Sequence, residues 1–155
     1  MRSTESKLIK SFFIRTEGDW KSRRRYLYLK SGKTLEIETY FTIKSAIPAD
    51  LNADLLVKIS WESEEYGSGE MNCSLLENVL RRDSGYFTED PTLSAIRVID
   101  RDCIVLSTTY GGCRYREEIR LLEEDNIRLR QTVGWKEGDS SPFLCGQYFE
   151  ERVED

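Results

Sequence analysis

From Trp20 onward the chain alternates apolar and polar residues with period two, the signature of strands with one buried face. Tyr26-Leu27-Tyr28-Leu29 runs into Ser31-Gly32-Lys33, a hairpin signal, and Thr34 to Ile43 resumes the alternation. Further strands are predicted over Leu55 to Trp61, Met71 to Leu76, Leu93 to Ile99, Cys103 to Tyr110, Arg114 to Leu122, Ile127 to Trp135 and Phe143 to Val153. Turn signals separate them: Pro48 to Asn52, Tyr66-Gly67-Ser68-Gly69, Asp83-Ser84-Gly85, Glu89-Asp90-Pro91, Gly111-Gly112 and Gly138 to Pro142. Ahead of the strands the period changes. Ser3 or Thr4 caps a short helix in which Glu5 occupies the first turn and Leu8, Ile9, Phe12 and Phe13 share one face, ending before Gly18. About nine short strands, tight turns and one leading helix predict an all-β, up-and-down antiparallel barrel with the helix against one end, and a β-sandwich as the runner-up.

Composition narrows the picture. A chain of 155 residues is expected to form a single domain spanning 1–155. A net charge of −5 and a pI near 5.0 argue against nucleic acid as a partner, and no apolar run approaches the ~20 residues of a membrane span. The polar stretch Met1 to Lys10 lacks the apolar core of a secretory leader, so a reducing compartment is expected, cytoplasmic or, in an alga, a plastid. With no histidine and with Cys73, Cys103, Cys113 and Cys145 scattered, no metal site is expected and no cysteine is given a role.

Candidate chemistry gathers late in the chain. Alternation over 126–132 puts Arg128, Arg130 and Thr132 on one face. Outward, that face is a solvated strand; alternatively one arginine stacks on Trp20. Inward, the arginines must meet a protein carboxylate or an acidic ligand, because an unpaired buried guanidinium is too costly. The preceding strand puts Arg116, Glu118 and Arg120 on one face, and the last strand does the same for Tyr148 and Glu150. Of Lys21, Arg23, Arg24 and Arg25, alternate members must look inward. Trp61 and Tyr110 offer flat walls to a conjugated ligand, with Tyr26, Tyr28, Tyr40, Tyr115 and Tyr148 adding aromatic surface.

Gly18-Asp19-Trp20 at the entrance of the first strand resembles the opening of lipocalin-like (calycin-type) barrels. The longer segment Phe12-Phe13-Ile14-Arg15-Thr16-Glu17-Gly18-Asp19-Trp20-Lys21-Ser22-Arg23-Arg24 is similar to the start of the S-type phycobiliprotein lyases. Ile59-Ser60-Trp61, the pair Glu117-Glu118 and Asn126-Ile127-Arg128-Leu129-Arg130 resemble further motifs of that family in the same order, while Leu121 stands where relatives often carry Trp and Leu27 where some carry His.

The resemblance implies a lyase that binds an open-chain bilin, phycocyanobilin or phycoerythrobilin, without covalent attachment. It then directs thioether formation on a cysteine of an apo-phycobiliprotein subunit. The bilin would be the substrate, with no permanently bound cofactor, and the chain would act alone, as a homodimer or with a related lyase subunit. By position, Glu118, Arg128 and Glu150 carry over as the charged groups at the chromophore, Glu151 competing with Glu150. Trp61 carries over as an aromatic wall, with Arg24, Arg130 and Thr132 as further contacts. The competing expectation is a non-catalytic, lipocalin-like carrier of a small acidic hydrophobic ligand; haem is disfavoured, since no histidine can serve as its axial ligand.

Overall fold

The computed structural model describes residues 3–50, 52–65, 67–83 and 91–153. One helix, α1 (Thr4–Arg15), leads into ten strands: β1 (Gly18–Tyr28), β2 (Lys33–Ala46), β3 (Leu55–Ser63), β4 (Gly67–Leu76), β5 (Val79–Arg82), β6 (Thr92–Asp100), β7 (Cys103–Tyr110), β8 (Cys113–Leu122), β9 (Ile127–Lys136) and β10 (Leu144–Arg152). Each strand pairs antiparallel with its sequence neighbour, and β1 pairs with β10, so the sheet closes and leaves no edge. The fold is thus the expected up-and-down barrel. The additional strand is β5, only four residues long and too short to show a period. The turn signals at Tyr66, Ser84-Gly85 and Glu89-Asp90 lie outside the described residues.

Helix α1 forms for the reasons its sequence gives. The Ser3 side chain caps it by accepting a hydrogen bond from the Ser6 backbone N–H, Glu5 sits in the positive first turn and Arg15 in the negative last one. Its buried residues Ser6, Ile9, Phe12 and Phe13 recur at helical spacing, and the apolar three among them join the inward side chains of the sheet in one core with Trp20, Phe41, Ile43, Leu55, Leu75 and Ile104.

Arg15 locks this end. It bonds to Asp125 in the β8–β9 turn and to Asp102 in the β6–β7 turn, at 2.7 and 2.6 Å. Arg152 donates to the backbone carbonyls of Arg15, Glu17 and Asp125. The same guanidinium lies 4.3 Å from the centroid of the fully buried Trp20 ring, whose indole N–H donates to the Thr16 carbonyl at 2.9 Å. This explains Gly18-Asp19-Trp20 physically. Gly18 has φ +132°, and a Cβ there would lie 2.3 Å from the Arg152 guanidinium, so only glycine admits the clamp beneath the tryptophan. The meander puts the β1–β2, β3–β4, β7–β8 and β9–β10 turns at the opposite end.

Candidate functional site

Strand alternation turns Arg128, Arg130 and Thr132 of β9 inward, together with Tyr148 and Glu150 of β10 and Trp20, Ser22, Arg24 and Tyr26 of β1. Glu150 is fully buried between the two arginines: Arg128 approaches its carboxylate at 3.4 Å and Arg130 at 3.2 Å. Register explains the contact, since Glu150 is the direct partner of Arg128, and Tyr148 of Arg130. Glu150 is therefore the inward member of the Glu150/Glu151 pair. Glu151 points outward to Arg23, at 2.8 Å.

On β8 the structure differs from the expectation. The inward row is Cys113, Tyr115, Glu117, Ile119 and Leu121, so Glu118 lies on the outer face with Arg116 and Arg120. Its neighbour Glu117 takes the interior position, 3.2 Å from the Arg130 guanidinium. The physical reason is the period-two constraint: once Ile119 and Leu121 enter the core, Glu117 must follow them and Glu118 cannot.

The inward groups form a continuous charged belt. Arg130 bridges Glu117 and Glu150, and Arg128 stands within cation–π range of Trp20 and Phe41, at 5.6 and 5.4 Å. Arg24 donates to the Ser22 hydroxyl at 3.0 Å and lies over the Tyr148 ring at 5.4 Å. Burial on its own would push both carboxyls up. The guanidiniums of Arg130, Arg82 and Arg128 instead hold Glu117 below the ordinary carboxylate range, and those of Arg130, Arg128 and Arg24, with a hydrogen bond from Ser22, do the same for Glu150. Both are charged acceptors at neutral pH.

Toward the end opposite the helix the wall becomes aromatic, and three strand glycines accommodate the rings. A Cβ at Gly69 would lie 2.6 Å from the Trp61 indole, one at Gly134 3.0 Å from the Tyr115 ring and one at Gly146 2.8 Å from the Tyr148 hydroxyl. Tyr26 meets Tyr148 edge-on at 5.6 Å and Tyr110 stacks on Tyr115 at 4.9 Å. Burial pushes the phenols of Tyr115 and Tyr148 up, so both stay neutral. Tyr40 does not join this wall: it faces outward, 47% exposed, beside Glu38. Tyr28, 41% exposed at the end of β1, stands outside it too. Arg23 and Arg25 are also outward, paired with Glu151 and Glu36. The stacking of an arginine on Trp20, weighed for Arg128 or Arg130, is closest for Arg152.

Sequence reasoning also missed Arg82 on the short β5 and Ser22 on β1. Ser22 was visible as the inward residue between Trp20 and Arg24. Arg82 gave no signal, because four residues beside a turn show no alternation. Among the described residues no cluster of His, Cys, Asp and Glu able to hold a metal ion occurs, and no helix is long and apolar enough to cross a membrane.

No protein-family model matches the chain. A protein of Nostoc sp. (strain PCC 7120) named "Putative phycocyanobilin lyase CpcS 2" is 26% identical over 174 residues, covering 99% of this chain and 95% of that protein. One of Picosynechococcus sp. (strain PCC 7002) named "Putative chromophore lyase CpcV" is 30% identical over 165 residues, covering 92% of this chain and 80% of that protein. The structure of the S-type phycobiliprotein lyase CPES from Guillardia theta superimposes with a TM-score of 0.71 at 16% identity over 99% of both chains, which extends the likeness in fold across the whole barrel. With a relative at 30% identity over most of its length and a shared lipocalin-like barrel, the chain belongs to the S-type phycobiliprotein lyase family.

Proposed function

We propose that this protein binds an open-chain bilin non-covalently inside the barrel and directs its attachment to a cysteine of an apo-phycobiliprotein subunit. The observation that carries this reading is the inward-facing belt of Arg24, Arg128 and Arg130 with Glu117 and Glu150, set beside an aromatic wall. A bilin presents two propionates, four nitrogen heterocycles and a long conjugated face. Arginines suit the propionates, ionised carboxylates suit pyrrole N–H donors, and Trp61, Tyr26, Tyr115 and Tyr148 suit the rings.

In this reading Arg128, Arg130 and Arg24 supply the positive charge, and Glu150 and Glu117 hold the tetrapyrrole in its protonated form, which draws electron density from the ring-A ethylidene. The partner's thiol then adds across that double bond: sulfur bonds to the exocyclic carbon, a proton goes to the adjacent ring carbon, and nothing is oxidised or reduced. Thr132 is a lesser polar contact. Glu118, on the outer face, has no place at the chromophore, and its proposed role passes to Glu117. The protein's contribution is orientation and protection of the bilin.

The test is to mix the purified chain with phycocyanobilin or phycoerythrobilin and then add apo-subunit. An immediate coloured complex followed by a fluorescent covalent adduct supports the reading. Colour without adduct favours a carrier, and no colour ends the proposal. Arg128→Ala should weaken both binding and attachment by about tenfold or more, the scale of one lost charge-assisted contact; unchanged values would refute its assignment.

A further inference from the structure

The wall formed by β5, β6 and β7 carries a second polar group of residues, four strands from Arg130. Arg82 turns inward and donates to the Ser94 hydroxyl at 2.9 Å; Ser94 in turn shares a hydrogen bond of 2.5 Å with Thr108, its direct partner on β7. Arg82 is therefore fixed in place by a side chain that is itself fixed. Thr92, the direct partner of Arg82 across β5–β6, is 5% exposed, and its hydroxyl has no hydrogen-bond partner among the described residues.

A buried hydroxyl without a partner is a standing cost, and in native structures such a group calls for a reason. The neighbours supply one. On its other side Arg82 pairs with Cys73, whose thiol burial pushes up to about 11, so that it brings no negative charge at neutral pH. Glu117, whose carboxyl the Arg82 charge helps to hold down, is engaged by Arg130 at 3.2 Å. A guanidinium has five N–H donors, and among the described residues the Ser94 bond uses one of those of Arg82. What remains is an inward-facing patch of the barrel wall with donors in a planar fork beside an unpartnered hydroxyl, a set that suits a carboxylate.

We propose that Arg82 and Thr92, held by Ser94 and Thr108, form a second carboxylate subsite that takes one propionate of the bilin, while Arg24 and Arg130 across the barrel take the other. This rests on the bilin-lyase reading and adds to it a device for selecting a diacid and fixing which way round the chromophore lies. It also separates the protein from a carrier of monocarboxylic acids, which needs only one such site.

The experiment titrates the full chain with phycocyanobilin and with its dimethyl ester, followed by absorbance. Arg82→Gln should lose affinity for the diacid by about tenfold or more while ester affinity stays within about twofold, the loss expected of one charged contact. Thr92→Val should lose diacid affinity by about threefold or more, and its thermal midpoint without ligand should equal or exceed that of the wild type, because the unpartnered hydroxyl is gone. If either folded variant titrates both compounds like the wild type, or loses both equally, the subsite is wrong and the lyase reading stands. If the wild type forms no complex with either compound, the lyase reading itself falls. Should Arg82→Gln fail to fold, Thr92→Val decides.

Discussion

Glu117 and Glu118 are adjacent in sequence and opposite in fate, which makes them a sharp pair for experiment. Glu117→Gln removes the interior carboxylate that Arg130 engages and should shift the absorption of a bound bilin. Glu118→Gln, on the outer face, should leave the spectrum unchanged; spectra recorded side by side decide. The same carboxylate makes stability depend on acid. Glu117 and Glu150 are held below their usual value of 4.5 in the folded state, so their contribution is whole above about pH 4.5 and is lost as the pH falls through the depressed values. Glu117→Gln should therefore be less stable than the wild type at pH 7, by up to ~3–5 kcal/mol for a broken buried pair, and the two should converge toward pH 3 in urea unfolding. The alternation rule already contained the answer at this position. The row Tyr115, Glu117, Ile119 and Leu121 is the apolar-rich one, and weighing Ile119 and Leu121 as core would have placed Glu117 inside. Arg128, Arg130 and Glu150 follow the same rule.

At the scale of the strand, what the sequence displays depends on length. Strands of eight residues or more announce themselves by alternation or, in β7, by the apolar run Cys103 to Leu106, and the helix by its three- and four-residue spacing. The four-residue β5 could not, and with it went Arg82. Trp61 belongs to this scale too, because its indole can lie across β4 only where Gly69 has no side chain. Gly69→Ala puts a Cβ 2.6 Å from that ring, and the rigid indole has to move. The expected result is a loss of about 1–3 kcal/mol, typical of overpacking, with a changed tryptophan emission; a stability and emission equal to the wild type would show the ring free to shift. The sequence marked Trp61 as an aromatic wall and Gly69 only as part of a turn, since the contact between them exists only once β3 and β4 are paired.

For the whole molecule, the order of strands was legible and the closure was not, because β1 meets β10 across the 115 residues of intervening chain, 29–143, and no local signal reports it. The Trp20, Arg152 and Arg15 assembly that seals one end likewise joins residues from both termini. The chemistry proposed here takes its nucleophile from the partner. Replacing Cys73, Cys103, Cys113 and Cys145 by Ser should then leave attachment yield intact in a variant that remains folded, as followed by adduct fluorescence and circular dichroism. A folded quadruple variant that binds bilin yet attaches none would point to a covalent relay. Cys73 and Cys103 are buried, so the variant is expected to melt earlier.

The arginine clamp under Trp20 closes one end of the barrel, so a cargo held as proposed has to come and go by the other. A chromophore held as proposed is last in, first out: the ring that enters last is the ring an acceptor meets. For ring A to be handed over, the opposite half of the tetrapyrrole has to go down first, so the order of loading already decides which carbon the thiol can reach.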